Sequence, residues 1–276
     1  MAAHARSGAL REAAGLLKRV GIFTATRWEL DAVCRAVRVE EKRRIAGARC
    51  LVGLRGNCRI YAFQTGVGAA KAGAVCREVL AQHPLDLALS CGFACALAPS
   101  RIGDLLIGTD VTVQEDGVSS LGQAAVPSGA VPCAEPFREV AIAAAQKAGL
   151  AAHVGRFVTV PRVLWRADEK RRAALSTGAI GLDMESAAMG AAAVARQVPF
   201  LVVRAASDLL DEDLPLDFNL FLAPPGPRGF AGWLRGAGFC LVHPSAVVGL
   251  NRLRRQSAVA SERMTRFVER FLDDLQ

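Results

Sequence analysis

Ile180-Gly181-Leu182-Asp183-Met184-Glu185-Ser186-Ala187-Ala188-Met189-Gly190 and then, after an Ala-rich stretch, Pro199-Phe200-Leu201-Val202-Val203-Arg204-Ala205-Ala206-Ser207-Asp208 decide how this chain is read. Asp183 and Glu185 stand where the short apolar run Ala179 to Leu182 gives way to an Ala-rich helix. Gly190 and the alanines around it keep one helix face small enough to lie close on a sheet. Proline is tolerated at the first residue of a strand, and Pro199 opens the wholly apolar run Phe200 to Val203. Asp208 is therefore expected near a strand's carboxyl end, which is where open α/β sheets bind ligands. Each carboxylate alone also reads as a helix-start acid or an ordinary loop Asp. Met-Glu at a helix start, followed by Ser-Asp after a buried strand, is the more specific combination.

Working outward, Arg19-Val20-Gly21-Ile22-Phe23-Thr24-Ala25-Thr26 predicts a first buried strand and its exit turn, with a helix from Arg27 to about Val37. Glu29 falls in that helix's first turn, where an acid is favoured by the helix dipole. Cys50 to Leu54 and Arg59 to Gln64 predict two strands joined by a turn at Arg55-Gly56-Asn57. Thr65-Gly66-Val67-Gly68 leads into a helix over Ala69 to Ala81. Such a turn gathers free backbone N–H groups and suits an anion, although tight-turn geometry alone explains Gly66 and Gly68. Leu85 to Ser90 predicts a short strand ending in a turn, Ser90-Cys91-Gly92-Phe93-Ala94-Cys95-Ala96-Leu97-Ala98-Pro99. Residues 116–132 are rich in Gly, Ser and Ala and predict a mobile loop over a pocket. A helix is expected over Glu135 to Ala148, a strand over Val154 to Val160 and a charged helix over Ala167 to Ala174.

Taken together, these motifs resemble the nucleoside phosphorylase/nucleosidase superfamily, over roughly residues 19–210. The superfamily includes purine nucleoside and uridine phosphorylases and methylthioadenosine/S-adenosylhomocysteine nucleosidase. The resemblance implies a three-layer αβα fold with a twisted mixed central sheet and cleavage of a purine nucleoside's N-glycosidic bond. It implies that Asp208 is the general acid for the leaving base and that Glu185 binds the ribose hydroxyls. Met184 then packs on the sugar, and Asp183 and Ser207 lie beside them in the substrate site. Glu29 stands where nucleosidases keep the Glu that activates water. Gly66, Gly68, Ser90, Gly92 and Phe93 would line the ribose and nucleophile pocket. The chain departs from phosphorylases at Ser90, where they place an Arg, and at Phe93, where they place a Ser. Thr24, Arg27, Thr65 or Lys71 would have to supply any phosphate site, so water and inorganic phosphate both stay open as acceptor. Near Val163 the nucleosidases stack the base on an aromatic that is missing here, leaving Phe93 or Trp165 to do so.

Composition sets the remaining bounds. The chain has 276 residues, 52% hydrophobic and 22% charged, which is globular rather than disordered. No apolar run approaches a membrane span, and no signal peptide is read at the N-terminus, where Leu10, Ala13, Ala14 and Leu17 suggest a short amphipathic helix. Eight cysteines without a CxxC pair point to free thiols in a reducing cytoplasm. The four histidines have no metal-ligand spacing, so neither a metal nor an organic cofactor is expected. Residues 1–18 are assigned to an N-terminal extension, 19–215 to the α/β domain and 216–276 to a helical, Arg-rich C-terminal extension. Helices are expected there over Phe230 to Leu241 and Ala246 to Leu272. The net charge is +8, and half of it lies from Gly226 onward, beside apolar residues, which suits peripheral contact with an anionic membrane. A helical pair packed on the core with its arginines in solvent fits equally well. The tail, with Thr159-Val160-Pro161-Arg162-Val163 and Asp183-Met184-Glu185-Ser186, resembles the hopanoid-associated phosphorylase subgroup, which makes adenosylhopane or another 5′-substituted adenosine the candidate substrate. A homo-oligomer of at least two subunits is expected from the same resemblance. Nucleic-acid binding is disfavoured because aromatics do not interleave with the basic residues. A nucleoside-binding protein that kept the fold and lost catalysis is the rival reading.

Overall fold

The segment expected to begin the sheet does so in a computed structural model that describes residues 18–114, 129–219 and 244–275. Along the chain the elements are β1 (Lys18–Thr24), α1 (Arg27–Arg35), β2 (Arg38–Ile45), β3 (Ala48–Arg55), β4 (Cys58–Gln64), α2 (Ala69–Gln82), β5 (Leu87–Ala96) and β6 (Leu105–Val113). They continue with β7 (Val131–Pro132), α3 (Glu135–Lys147), β8 (Ala152–Thr159), α4 (Ala167–Thr177), β9 (Gly181–Asp183), α5 (Ser186–Val194), β10 (Phe200–Leu209) and α6 (Pro244–Asp274).

The strands form one mixed sheet in the order β10-β6-β8-β9-β5-β1-β4-β3-β2, with β7 paired to β6. β1 lies parallel to β4 and to β5, and β10 lies parallel to β5. β10 also pairs with β6, antiparallel, so β5, β10, β6, β8 and β9 close on themselves as a small barrel from which the other strands extend. β5 is the hinge of this arrangement, because β1, β10 and β9 all pair with it.

Helices cover both faces. Successive residues of a strand point to opposite faces, and on β5 the Ser90 hydroxyl meets Ser186 of α5 while the Cys91 thiol meets Met264 of α6. α2 packs on α5 in one layer, and α1 and α3 pack on α6 in the other. The α5 layer sits close because Gly190 faces Phe200 and Val131; a Cβ there would lie 2.7 Å and 2.6 Å from their side chains. The chain is therefore a three-layer αβα protein with a mixed central sheet, as the sequence implied.

Three local expectations change. β2 was not anticipated: its Arg38-Val39-Glu40-Glu41-Lys42-Arg43-Arg44-Ile45 sequence is mostly charged, and it lies at the sheet's edge, where charge guards against further pairing. The turn expected from Ser90 to Pro99 is instead the second half of β5, which runs to Ala96. Lys18, placed in the N-terminal extension, is the first residue of β1. The helix expected over Ala246 to Leu272 is α6, whose Ala260, Met264, Phe267, Val268, Phe271 and Leu272 are buried in the main core. Its apolar face is thus taken by the α/β domain, and Arg55 of β3 clasps Asp273 at 2.8 Å. The N-terminal helix, most of the 116–132 loop and the Phe230 to Leu241 helix lie outside the described residues. Among those described, no helix is long and apolar enough to cross a membrane.

Candidate active site

The carboxyl ends of β1, β5 and β10 and the β9–α5 junction converge, bringing most of the expected site residues into one connected set. Glu29 is buried at the start of α1. Its Oε2 accepts hydrogen bonds from the Thr26 backbone N–H at 2.7 Å and the Thr26 hydroxyl at 3.0 Å, so it does close the helix N-terminus. Its Oε1 leaves that role and accepts the Phe93 backbone N–H at 2.8 Å, tying α1 to β5. Glu29 therefore both caps a helix and reaches across to the centre of the sheet. Gly92 permits this approach: a Cβ there would stand 2.2 Å from Glu29 Oε1 and 2.5 Å from Arg204 Nη1.

Arg204 is the buried hub of the set, 1% exposed in an otherwise apolar strand. Its guanidinium donates to Asp183 Oδ2 at 2.9 and 3.2 Å, to the Ser90 hydroxyl at 2.8 Å and to the Ser186 hydroxyl at 3.0 Å. Asp183 completes its own bonding with the Thr159 hydroxyl at 2.8 Å, the Ser186 hydroxyl and the backbone N–H groups of Glu185 and Ser186. A buried charge must be paired and hydrogen-bonded, and this pair is. Burial alone would pull the Arg204 pKa down, but Asp183, Glu29 and Glu185 outweigh it and hold the guanidinium charged.

Glu185 sits at the foot of α5, and its Oε1 accepts the Gly68 N–H at 2.8 Å. Gly68 adopts φ +99°, a conformation that favours glycine, which aims this N–H at the carboxylate. Gly66 bonds back to Ala25 O at 3.1 Å, keeping the β4–α2 turn against the exit of β1. Burial, with Asp183 beside it, pushes the Glu185 carboxyl up to about 7. Met184 is half-buried against a small apolar cluster that includes Cys95, Leu164 and Leu182.

Asp208 is nearly the last residue of β10 and is 8% exposed. Its Oδ1 accepts the Ser207 hydroxyl at 3.1 Å, and its Oδ2 accepts Lys170 Nζ at 2.8 Å. Lys170 is fully buried and also donates to Leu209 O at 3.2 Å and Glu212 O at 2.9 Å. Burial pulls the ammonium's pKa down, yet Asp208, with Glu212, leaves it above the ordinary lysine value. The charged neighbour of Asp208 is thus a cation.

Two expected residues stand apart. Val163 exchanges hydrogen bonds with Asn219, at 2.8 Å from its N–H and 2.9 Å to its carbonyl. Phe93 reaches the carboxylates through its backbone only. Its ring lines a cleft between α1 and α6 with Trp28, Arg35, Arg254 and Ala258, on the sheet face opposite Ser90. Trp165 has the Arg166 guanidinium over its ring, 5.4 Å from the centroid. Lys170 and Arg204 were missed from sequence. The signal for Lys170 was its spacing, since Ala167, Lys170 and Ala173 share the buried face of α4. The signal for Arg204 was a charge inside an unbroken apolar strand. Among the described residues no three His, Cys, Asp or Glu side chains gather as a metal site, and the cysteines are unbridged.

The family model described as "Phosphorylase superfamily" matches residues 19–223. A 5′-methylthioadenosine/S-adenosylhomocysteine nucleosidase of Glaesserella parasuis is 28% identical over 210 residues, which is 74% of this chain and 91% of that one. Among solved structures, the S-adenosylhomocysteine nucleosidase of Streptococcus pyogenes in complex with 5-methylthiotubericidin superposes with a TM-score of 0.71 at 18% identity, covering 94% of this chain and 98% of that one. A futalosine hydrolase mutant of Helicobacter pylori superposes at 0.69 and 18%, covering 94% and 100%.

Proposed function

The chain belongs to the phosphorylase superfamily, and from that premise we infer that it cleaves the N-glycosidic bond of a purine nucleoside carrying a 5′ substituent. The observation that supports this reading best is that Glu29, Glu185 and Asp208 are all buried, just after β1, just after β9 and near the end of β10. Breaking a ribosyl C–N bond passes through an oxocarbenium-like sugar. The base must accept a proton, the cation must be stabilised and a nucleophile must arrive on the opposite face. In this reading Asp208 Oδ1 addresses the base. Glu185, with Met184 beside it, holds the ribose hydroxyls and stabilises positive charge on the ring when ionised. Glu29 orients or deprotonates the attacking water. General acid catalysis of this kind is worth roughly two to four orders of magnitude.

Water is the favoured acceptor. The Ser90 region does contain a guanidinium, from Arg204, but Asp183, Ser186 and Ser90 already hold it. One observation favours the rival reading of a nucleoside binder without turnover: Asp208 is paired with a buried cation, which opposes protonation of the carboxyl. Both readings meet the same test. Adenosine, inosine, 5′-methylthioadenosine, S-adenosylhomocysteine and adenosylhopane are incubated with the protein, with and without phosphate, and free base and ribose-1-phosphate are measured by chromatography. Base release without phosphate supports the nucleosidase reading, and strict phosphate dependence replaces it with phosphorolysis. Binding without release supports the rival. Activity on adenosylhopane would further support the subgroup that the Arg-rich tail suggests, and light scattering tests the expected dimer. Contact of the Arg-rich tail with an anionic membrane is tested by flotation with anionic liposomes.

A further inference from the structure

Lys170 has no part in the mechanism above, yet it is among the most deeply buried charges in the described chain. It lies within the run Ala167-Asp168-Glu169-Lys170-Arg171-Arg172, in which Arg171 and Arg172 are exposed and Lys170 is the one charged residue that is buried. Its Nζ makes three bonds, to Asp208 Oδ2, Leu209 O and Glu212 O, which matches the three donors of an ammonium. The two carbonyls fasten α4 to the end of β10, while the third donor and the buried charge are met by a carboxylate, that of the candidate acid. This third bond ties up Oδ2 and leaves Oδ1, with the Ser207 hydroxyl as its side-chain neighbour, as the oxygen not engaged by the cation.

We propose that Lys170 is the positioning residue of Asp208: it selects Oδ1 as the oxygen that meets the base, and its charge sets the pH range over which that carboxyl can hold a proton. This rests on the reading of Asp208 as the general acid. The groups facing the pair are Lys170 from α4, the Cys95 thiol from β5, Ser207, and Glu212 from the turn after β10, itself held by Gln256 of α6 at 3.0 Å. Burial pushes the Cys95 thiol well above its ordinary range, so it stays neutral and supplies no charge. Lys170 is the cation bonded to Asp208. Substituting it by a neutral residue removes the opposite charge in direct contact with Oδ2, and an adjacent opposite charge favours the ionised form of a carboxyl.

The experiment compares wild type, Lys170→Met, Lys170→Gln, Lys170→Arg and Asp208→Asn across pH, reading kcat/KM for base release from 5′-methylthioadenosine and, independently of turnover, adenine affinity by calorimetry. An activity that needs the acid form falls as pH rises through the carboxyl pKa. In Lys170→Met that fall, in rate or in adenine affinity, should begin at least one pH unit higher than in wild type. The kcat at the wild-type optimum should drop about tenfold or more as Oδ2 loses its anchor. Lys170→Arg, which keeps the charge, should retain the wild-type pH profile. A Lys170→Met profile that superimposes on wild type overturns the proposal. So does failure of both neutral variants to fold while Lys170→Arg folds, because the charge then serves only the fold. Normal turnover by Asp208→Asn is a separate outcome that removes the general-acid reading itself.

Discussion

Gly92→Ala is the smallest change that reaches the centre of this site. The added methyl would lie 2.2 Å from Glu29 Oε1, 2.7 Å from its Cδ and 2.5 Å from Arg204 Nη1. Carbon–oxygen contacts in proteins settle near 3.3–3.6 Å, so the Glu29 carboxylate must retreat by about 1 Å. It cannot do so while keeping its bonds to Phe93 N–H at 2.8 Å and Thr26 N–H at 2.7 Å. Loss of the cap and overpacking together should cost about 1–3 kcal/mol, a fall in Tm of roughly 2–12 °C for a domain of this size. The effect on rate should be larger than that loss implies, because a misplacement of about 1 Å at a reacting group can cost on the order of a hundredfold. Base release at saturating nucleoside and thermal unfolding are measured on the same preparation. A folded Gly92→Ala protein with kcat near wild type would refute the placement of Glu29 at the reacting centre.

Two further substitutions probe the charges. Glu185→Gln removes a carboxyl that burial holds at about 7 against an ordinary 4.5. Because the folded pKa is raised, this proton is bound more tightly by the folded chain, and stability is lost as pH climbs from about 4.5 through 7. The variant should therefore match wild type near pH 4, be the more stable by on the order of 3 kcal/mol at pH 8, and lose activity; equal stability at pH 8 in urea melts would contradict this. Arg204→Met leaves Asp183 as a buried charge without its cation and should cost about 3–5 kcal/mol. Adding Asp183→Asn should recover part of that loss, and a double variant no more stable than Arg204→Met would argue against the pairing as its source.

The sequence carried the fold where burial writes itself into hydrophobicity. Phe200 to Val203 is apolar because β10 lies between β5 and β6 with helices over both faces, and that pattern needs no partner to be seen. It failed where a strand's character comes from its neighbours. β2 is charged because it is an edge, and the half of β5 from Gly92 to Ala96 looks like a turn because Gly92 must yield space to Glu29 and Arg204, which arrive from elsewhere in the chain. The site was legible in the same measure. Asp183, Glu185 and Asp208 were visible because they stand at element ends. Lys170 was hidden in a run of charges that reads as a solvent face, and only its spacing from Ala167 and Ala173 marked it as inward-facing. The Phe93 ring could not be oriented until β5 was known to continue as a strand, which turns it toward α6.

The central claim is that this chain releases a purine from a nucleoside through Asp208. Its most direct test is the rate of free adenine formation from 5′-methylthioadenosine by wild type and by Asp208→Asn, with both proteins shown to be folded. Asp208→Asn keeps an acceptor for Lys170 but has no proton to give, so the account predicts a fall of roughly two to four orders of magnitude with 5′-methylthioadenosine binding largely kept. Adenine release by the variant within a few-fold of wild type would contradict it.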